Sequence, residues 1–231
     1  MSHLLVLTHP CPINLECPEG VHVPGPASLE LLKYIFSVRG KSVLDLGCGT
    51  GLFAVAAAKM GARDVWAVDI DPASVECAQR NAELNGVEIT ARVGDLFDPV
   101  PDRLFDLIIT NPPQTPAPAA ACGPKFGGVD GLLYFNSILR AAPDHLERGG
   151  ELLTFLISLA HTRRFEEMLS ERFRFRGLPK TRREFTREEY EGYWPGLFDF
   201  LCDLRARGMA EFDEETGRFF FTVRSYLAMR R

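Results

Sequence analysis

Val43-Leu44-Asp45-Leu46-Gly47-Cys48-Gly49-Thr50-Gly51 passes from an apolar run into alternating glycines, and then into the Ala-rich stretch Leu52 to Met60. The run reads as a short buried strand and the stretch as a helix. The glycines between them form a tight loop where a ligand can approach bare backbone. The spacing is G-x-G-x-G, whereas a dinucleotide pyrophosphate is seated on a helix N-terminus by G-x-G-x-x-G. Asp45, two residues before the first glycine, is poorly placed for a pyrophosphate and suits a ligand carrying an ammonium group.

Strand and helix patterns alternate downstream of this loop. Asp64 to Asp69 reads as a second strand. Asp71 caps a helix that Pro72 opens and that runs to Asn85, with Gly86 at its C-terminus. Ile89 to Val93 is a third strand, and Phe105 to Thr110 a fourth that stops at Asn111-Pro112-Pro113. Residues 132–147 read as a helix broken near Pro143; Gly149-Gly150 then turn into a fifth strand, Glu151 to Leu156. Such βαβ spacing with runs apolar on both faces predicts an α/β fold, a doubly wound and mostly parallel sheet with its ligand site at the carboxyl ends of the strands. Upstream, five prolines in residues 1–26 predict extended chain and turns, followed by a helix from Ser28, its N-cap, to Val38. The last third predicts a helix over His161–Phe173 and strands over Phe173–Leu178 and Gly217–Leu227. Between those strands lies a partly helical insertion, Thr186–Thr216. With no repeat and no low-complexity linker, residues 1–231 are expected to form a single domain.

A chain of 231 residues, 46% hydrophobic and 25% charged, is neither disordered nor fibrous, and its net charge of −5 lacks the basic field of a generic nucleic-acid binder. No apolar run is long enough to span a membrane, and no basic region precedes the short apolar N-terminus, so neither membrane nor signal peptide is expected. The cysteines at 11, 17, 48, 77, 122 and 202 show no C-x-x-C, which fits a reduced, cytoplasmic chain. His3, His9, Cys11, Cys17 and His22 crowd the N-terminus without zinc-ligand spacing, so no metal is predicted.

Asp69 ends the second strand, where its carboxylate can accept hydrogen bonds from both hydroxyls of a ribose. Asp95 ends the third, in reach of an adenine amino group. With Asp45 they outline an adenosine bearing a cationic amino-acid tail and no phosphate, which S-adenosylmethionine fits. The glycine loop, Asp69 and Asn81-Ala82-Glu83-Leu84-Asn85-Gly86 resemble class I S-adenosylmethionine-dependent methyltransferases over about residues 20–157. The resemblance implies a Rossmann-like sheet of seven strands, the last antiparallel. It further implies that Asp45, Gly47, Cys48, Gly49 and Gly51 hold the methionine part, Asp69 and Ile70 the ribose side, and Asp95 and Leu96 the adenine. Residues 41–160 would be the cofactor-binding core and 1–40 a covering segment.

Asn111-Pro112-Pro113-Gln114 falls where the donor methyl would face. Methyl transfer needs a well-aimed lone pair more than a strong base. An Asn side-chain oxygen and the Pro112 carbonyl can accept both hydrogens of an NH2 group and stabilise the charge that grows on nitrogen. The motif resembles the N-P-P-Y of methyltransferases acting on planar nitrogen. Among these, Gly127-Gly128-Val129-Asp130-Gly131-Leu132 and Val21-His22-Val23-Pro24-Gly25-Pro26-Ala27-Ser28 resemble the release-factor glutamine (HemK-type) enzymes. Gln114 replaces the usual aromatic residue, which predicts hydrogen bonds to the acceptor in place of stacking. Asn111, Pro112 and Gln114 are thus the candidate catalytic residues, Asn111 also bordering the cofactor, and no general base is assigned.

The expected partner is a methyl acceptor, either a protein glutamine or a small-molecule nitrogen. Tyr190, Tyr193, Trp194 and Phe198 in the insertion either cover its pocket or pack the insertion down. Arg172 to Arg187 holds seven basic residues, which keeps an RNA or DNA base methyltransferase as the alternative, although alternating Arg and Phe also fits a strand with arginines outward. A non-catalytic S-adenosylmethionine-binding partner protein is the rival from another class. The oligomeric state has no signature.

Overall fold

The computed structural model describes residues 2–6, 12–35 and 37–231. The chain divides into two compact units: residues 1–111, 141–154 and 230 form the first, and 112–140, 155–229 and 231 the second.

The first unit opens with an antiparallel pair, β1 (Ser2–Val6) and β2 (Ile13–Cys17), with Leu4 opposite Leu15. Extended chain and turns were expected here from the prolines, and the extended part pairs as strands. The signal for β2 is the alternation of buried Ile13, Leu15 and Cys17 with Asn14 and Glu16. His9, Pro10 and Cys11 lie outside the described residues, as does Phe36, expected on the following helix. That helix, α1 (Pro26–Leu32), begins and ends earlier than predicted. Gly25 is its N-cap and Pro26 occupies its first turn, so Ser28 is a buried helical residue and not a cap.

Five strands follow the predicted order. β3 (Ser42–Leu46), β4 (Asp64–Asp69), β5 (Thr90–Val93), β6 (Phe105–Thr110) and the first part of β7 (Leu146–Ile157) line up as β5-β4-β3-β6-β7, every pair parallel. All five residues of β3 are buried, as a strand covered on both faces requires. Helix α2 (Leu52–Lys59) contributes the small buried residues Ala54, Ala56 and Ala57. Before helix α3 (Pro72–Leu84), the Asp71 carboxylate accepts from the amides of Ala73 and Ser74, both at 3.1 Å, as its position predicted. A Cβ on Gly51 would lie 2.8 Å from the Ala78 Cβ, so the start of α2 can approach α3 this closely only through a glycine. Gly149-Gly150 do not turn into β7 but lie within it. Phe105 pairs with Leu146 and Leu107 with Glu151, and the surplus residues bulge at Gly149, φ 80°.

The second unit holds helix α4 (Leu133–Ala141) up to Arg140; the expected break then follows as a single 3-10 turn containing Pro143. Helix α5 (Thr162–Arg172) leads into β8 (Phe173–Phe185), which runs seven residues beyond the predicted Leu178. The insertion forms α6 (Arg187–Tyr193), α7 (Leu197–Ala206) and a three-residue strand β9 (Asp213–Glu215) antiparallel to β10 (Arg218–Arg230), which lies beside β8. The expected class is therefore observed, an α/β architecture with parallel strands in the first unit and antiparallel pairing in the second, and β9 adds a strand to the seven expected. Phe185 anchors an aromatic cluster, with ring centroids 5.0 Å from Tyr190, 5.4 Å from Phe212 and 5.7 Å from Phe219. Tyr190 and Phe198 are buried in it, so these two aromatics pack the insertion down. Arg174, Arg176, Lys180 and Arg182 stand exposed along β8, the outward arrangement that the Arg-Phe alternation allows. Among the described residues, no helix is long and apolar enough to cross a membrane, and no cluster of His, Cys, Asp and Glu is placed to hold a metal ion.

Candidate active site

The glycine loop spends its backbone donors inward. The N–H groups of Gly47 and Cys48 donate to the Val68 carbonyl, that of Gly51 to Cys48, and that of Gly49 to an Asp69 carboxylate oxygen at 2.9 Å. A loop that cradles phosphate turns those groups outward to the anion. This one instead gathers carboxyl groups. Asp45 is fully buried; its Oδ2 accepts from the Ala54 amide at 2.9 Å, while its Oδ1 is buried without a donor. Burial pushes the carboxyl up to about 8, opposed by the backbone amide of Ala54, reinforced by the Asp69 charge and opposed more weakly by the Phe53 amide. A buried carboxylate oxygen lacking a donor is the feature an ammonium group satisfies, so the site fits the ammonium of the S-adenosylmethionine amino-acid tail and disfavours a pyrophosphate.

Asp69 is half-buried, its Oδ1 accepting from the Asp71 amide at 3.0 Å, so both oxygens are fixed in place with lone pairs left over. Ile70 is 69% exposed beside it, an apolar side chain open to a ligand. Asp95 is exposed at the end of β5, and Leu96 takes a left-handed backbone, φ 45°. Cys48 is buried, and burial together with the Asp45 and Asp69 charges pushes its thiol well up; it packs as a neutral residue.

Asn81 belongs to the Asn81–Gly86 motif, and the structure shows its task. Its fully buried amide accepts from the Glu16 N–H at 2.8 Å and donates to the carbonyls of Glu16 and Thr50, both at 2.9 Å. It thereby ties β2 to the glycine loop. Asn85 repeats the device at Asn14. The predicted covering segment also meets the loop, since a Cβ on Gly49 would lie 3.9 Å from the His22 carbonyl.

At the end of β6, Asn111 donates its Nδ2 to the Ser28 hydroxyl at 3.0 Å. Ser28, buried on α1, holds this amide by its Nδ2, and Oδ1 is the end left as an acceptor. Pro112 to Gln114 belong to the second unit. Gln114 differs from expectation: it is buried, and its amide is taken up by backbone. Oε1 accepts from Ile157 N–H at 2.8 Å, and Nε2 donates to the carbonyls of Phe155 at 3.3 Å and Pro112 at 3.4 Å. No part of this amide is turned to an acceptor. The Gly127–Leu132 motif grips the same segment. Gly131, φ 79°, would bring a Cβ to 2.5 Å from the Gln114 carbonyl and 2.6 Å from the Ala160 Cβ. Thr115 bonds to Lys125 and Gly127 through backbone, so the long loop after the motif is pinned at its start. Lys125 in turn places its ammonium 3.8 Å from the ring centroid of Tyr193, joining that loop to the insertion.

The family described as "Methyltransferase small domain" matches residues 25–186, more than half of the chain. A protein of Methanocaldococcus jannaschii named as a protein N5-glutamine methyltransferase is 37% identical over 144 residues, 60% of this chain and 73% of that one. The release factor glutamine methyltransferase of Geobacter sulfurreducens is 41% identical over 127 residues, 50% of this chain and 45% of that one. Among solved structures, the T. thermophilus 16S rRNA N2 G1207 methyltransferase in complex with AdoMet and guanosine superposes with a TM-score of 0.64 at 27% identity, covering 77% of this chain and 47% of that one. The chain thus spans less than half the length of the latter two.

Proposed function

Since this chain belongs to the methyltransferase small domain family and takes S-adenosylmethionine as methyl donor, we propose that it methylates the nitrogen of a protein glutamine amide. The observation that supports this reading is the Asn111–Ser28 hydrogen bond, because it uses Asn111 Nδ2 and leaves Oδ1 as an acceptor, with the Pro112 carbonyl one residue further along the chain. A carboxamide NH2 has two hydrogens to give, one to each oxygen. Both hydrogens held in one plane aim the nitrogen lone pair out of that plane, and the two oxygens stabilise positive charge as it develops on nitrogen. Bound S-adenosylmethionine supplies an electrophilic methyl group on a cationic sulfur. Asp45 would hold its ammonium group, with Gly47, Cys48, Gly49 and Gly51 shaping the backbone around it. Asp69 and Ile70 would hold the ribose side, Asp95 and Leu96 the adenine, and Asn111 would border the methyl.

In this reading residues 1–231 act as one methyltransferase domain: 1–40 cover the cofactor, 41–160 bind it, and 186–216 stand on the acceptor side. The Lys125–Tyr193 contact supports that last placement. A translation protein as acceptor, as in the names of the relatives, fits a cytoplasmic location. The test is transfer of labelled methyl from S-adenosylmethionine to a recombinant release factor, followed by mapping of the modified residue. A methylated glutamine that disappears with Asn111→Ala supports the proposal; methyl on any other residue overturns it. The exposed arginines of β8 support a second reading, an RNA base as acceptor, which requires binding that weakens steeply with salt and is lost in Arg174→Glu/Arg176→Glu. A non-catalytic cofactor-binding role would leave function intact in Asn111→Ala.

A further inference from the structure

Gln114 occupies the point where a parallel ladder loses its donors. Ile109 of β6 pairs with Leu153 of β7, and the Thr154 hydroxyl still reaches the Thr110 carbonyl at 2.9 Å. Pro112 and Pro113 then follow, and neither has an N–H to carry the pairing on. In a parallel pair, one residue takes both the C=O and the N–H that flank the residue facing it. The Gln114 side chain does this in the prolines' place, donating to the Phe155 carbonyl and accepting from the Ile157 amide on either side of Leu156. Its remaining hydrogen goes to the Pro112 carbonyl. The three bonds use the one acceptor and both donors of a neutral carboxamide, and the residue is 5% exposed.

We infer that Gln114 is a positioning residue. It replaces the missing ladder bonds with its side chain and so holds the Pro112 carbonyl, on which the acceptor nitrogen is aimed, against the end of β7. This rests on the reading of Asn111 and Pro112 given above. It also separates Gln114 from acceptor choice, because an amide with every bond committed to backbone has none to offer a substrate. An aromatic residue at 114 could supply no such ladder replacement, so the substitution changes how the carbonyl is held.

The test compares wild type, Gln114→Met, Gln114→Glu and Asn111→Ala, using S-adenosylmethionine and a recombinant release factor. It is read together with the carbonyl 13C resonance of Pro112. Gln114→Met keeps length and burial but no hydrogen bond. Its kcat is expected to fall about 10–100-fold with both KM values unchanged, and the Pro112 resonance to move upfield. A rise in acceptor KM at unchanged kcat would make Gln114 a selectivity residue and overturn the inference, as would wild-type behaviour in both readouts. If Gln114→Met does not fold, Gln114→Glu decides. Its protonated acid can still accept from Ile157 and donate to one carbonyl, whereas its anion faces two carbonyl oxygens. Activity must therefore fall with rising pH where wild type does not, and a parallel profile overturns the inference. Should wild type transfer no methyl, or Asn111→Ala lose none, the N-methylation reading fails by itself. The Pro112 resonance then decides the role of Gln114 alone, supporting it if displaced and refuting it if unmoved.

Discussion

Asn81 and Gln114 are both buried carboxamides that take up the N–H and C=O of a strand, Asn81 at Glu16 and Gln114 around Leu156, and each spends its last hydrogen on a loop carbonyl, Thr50 or Pro112. The loops they brace end up in opposite states. The glycine loop is rigidly held yet leaves Asp45 buried with one oxygen lacking a donor. The Asn111–Gln114 segment is held just as firmly, and its buried polar atoms are satisfied. The first loop stores an electrostatic demand that a cationic ligand answers. The second is preorganised and presents acceptors whose geometry does not wait for a ligand.

That contrast can be broken most forcefully at Asn111. Asn111→Ala removes an oriented acceptor, so kcat should fall about 10²–10³-fold while S-adenosylhomocysteine binding by calorimetry stays within twofold; a retained kcat would mean the segment presents nothing. Gly131→Ala is expected next. A methyl at 2.5 Å from the Gln114 carbonyl, at a positive φ, has nowhere to move, and stability by urea titration should drop by about 3 kcal/mol. An unchanged midpoint would show that the second segment is looser than its contacts.

Asp45→Asn tests the other loop. It keeps an acceptor for the Ala54 amide but turns a donor on the ammonium, so affinity for S-adenosylhomocysteine should fall about 30-fold (~2 kcal/mol). The sign of the pH dependence follows from the raised carboxyl. Without ligand, the folded state keeps a proton that the unfolded chain releases at an ordinary carboxylate value of about 4. Stability should therefore decline as pH rises from there to about 8, then level off, and ligand binding below pH 8 should release a proton. A melting temperature flat across that window, or equal slopes in wild type and Asp45→Asn, would remove the stored demand. The smallest effect belongs to Lys125→Ala. Loss of the contact with Tyr193 should cost about 0.5–1 kcal/mol. A few-fold rise in acceptor KM would sharpen the assignment of the insertion to the acceptor side, and an unaltered KM would reduce the contact to packing.

Much of the first unit was legible because its signals are local. β3, β4 and β6 begin and end where their apolar runs do, and Asp71-Pro72 marks α3 through its own cap. Errors came where a residue answers to a distant partner. Ser28 resembled a cap by type, yet Gly25 and Pro26 start α1 and the hydroxyl serves Asn111, 83 positions away. Gly149-Gly150 resembled a turn because glycines usually make one, and only pairing with β6 shows the bulge. β8 outruns its predicted end as a strand paired with β10, a partner distant in sequence.

By itself, the sequence determined the alternating architecture, the glycine loop, the carboxylates at the strand ends and the Asn-Pro-Pro stop. Periodicity, capping and proline chemistry act within a few residues. Tertiary structure alone decided which atoms are left to bind. Whether Asp45 keeps an oxygen without a donor, which face of the Asn111 amide is free, and whether Gln114 looks outward or inward all depend on hydrogen bonds between residues far apart in sequence. In a buried site every polar group seeks a partner, and composition cannot say which ones the fold has already supplied.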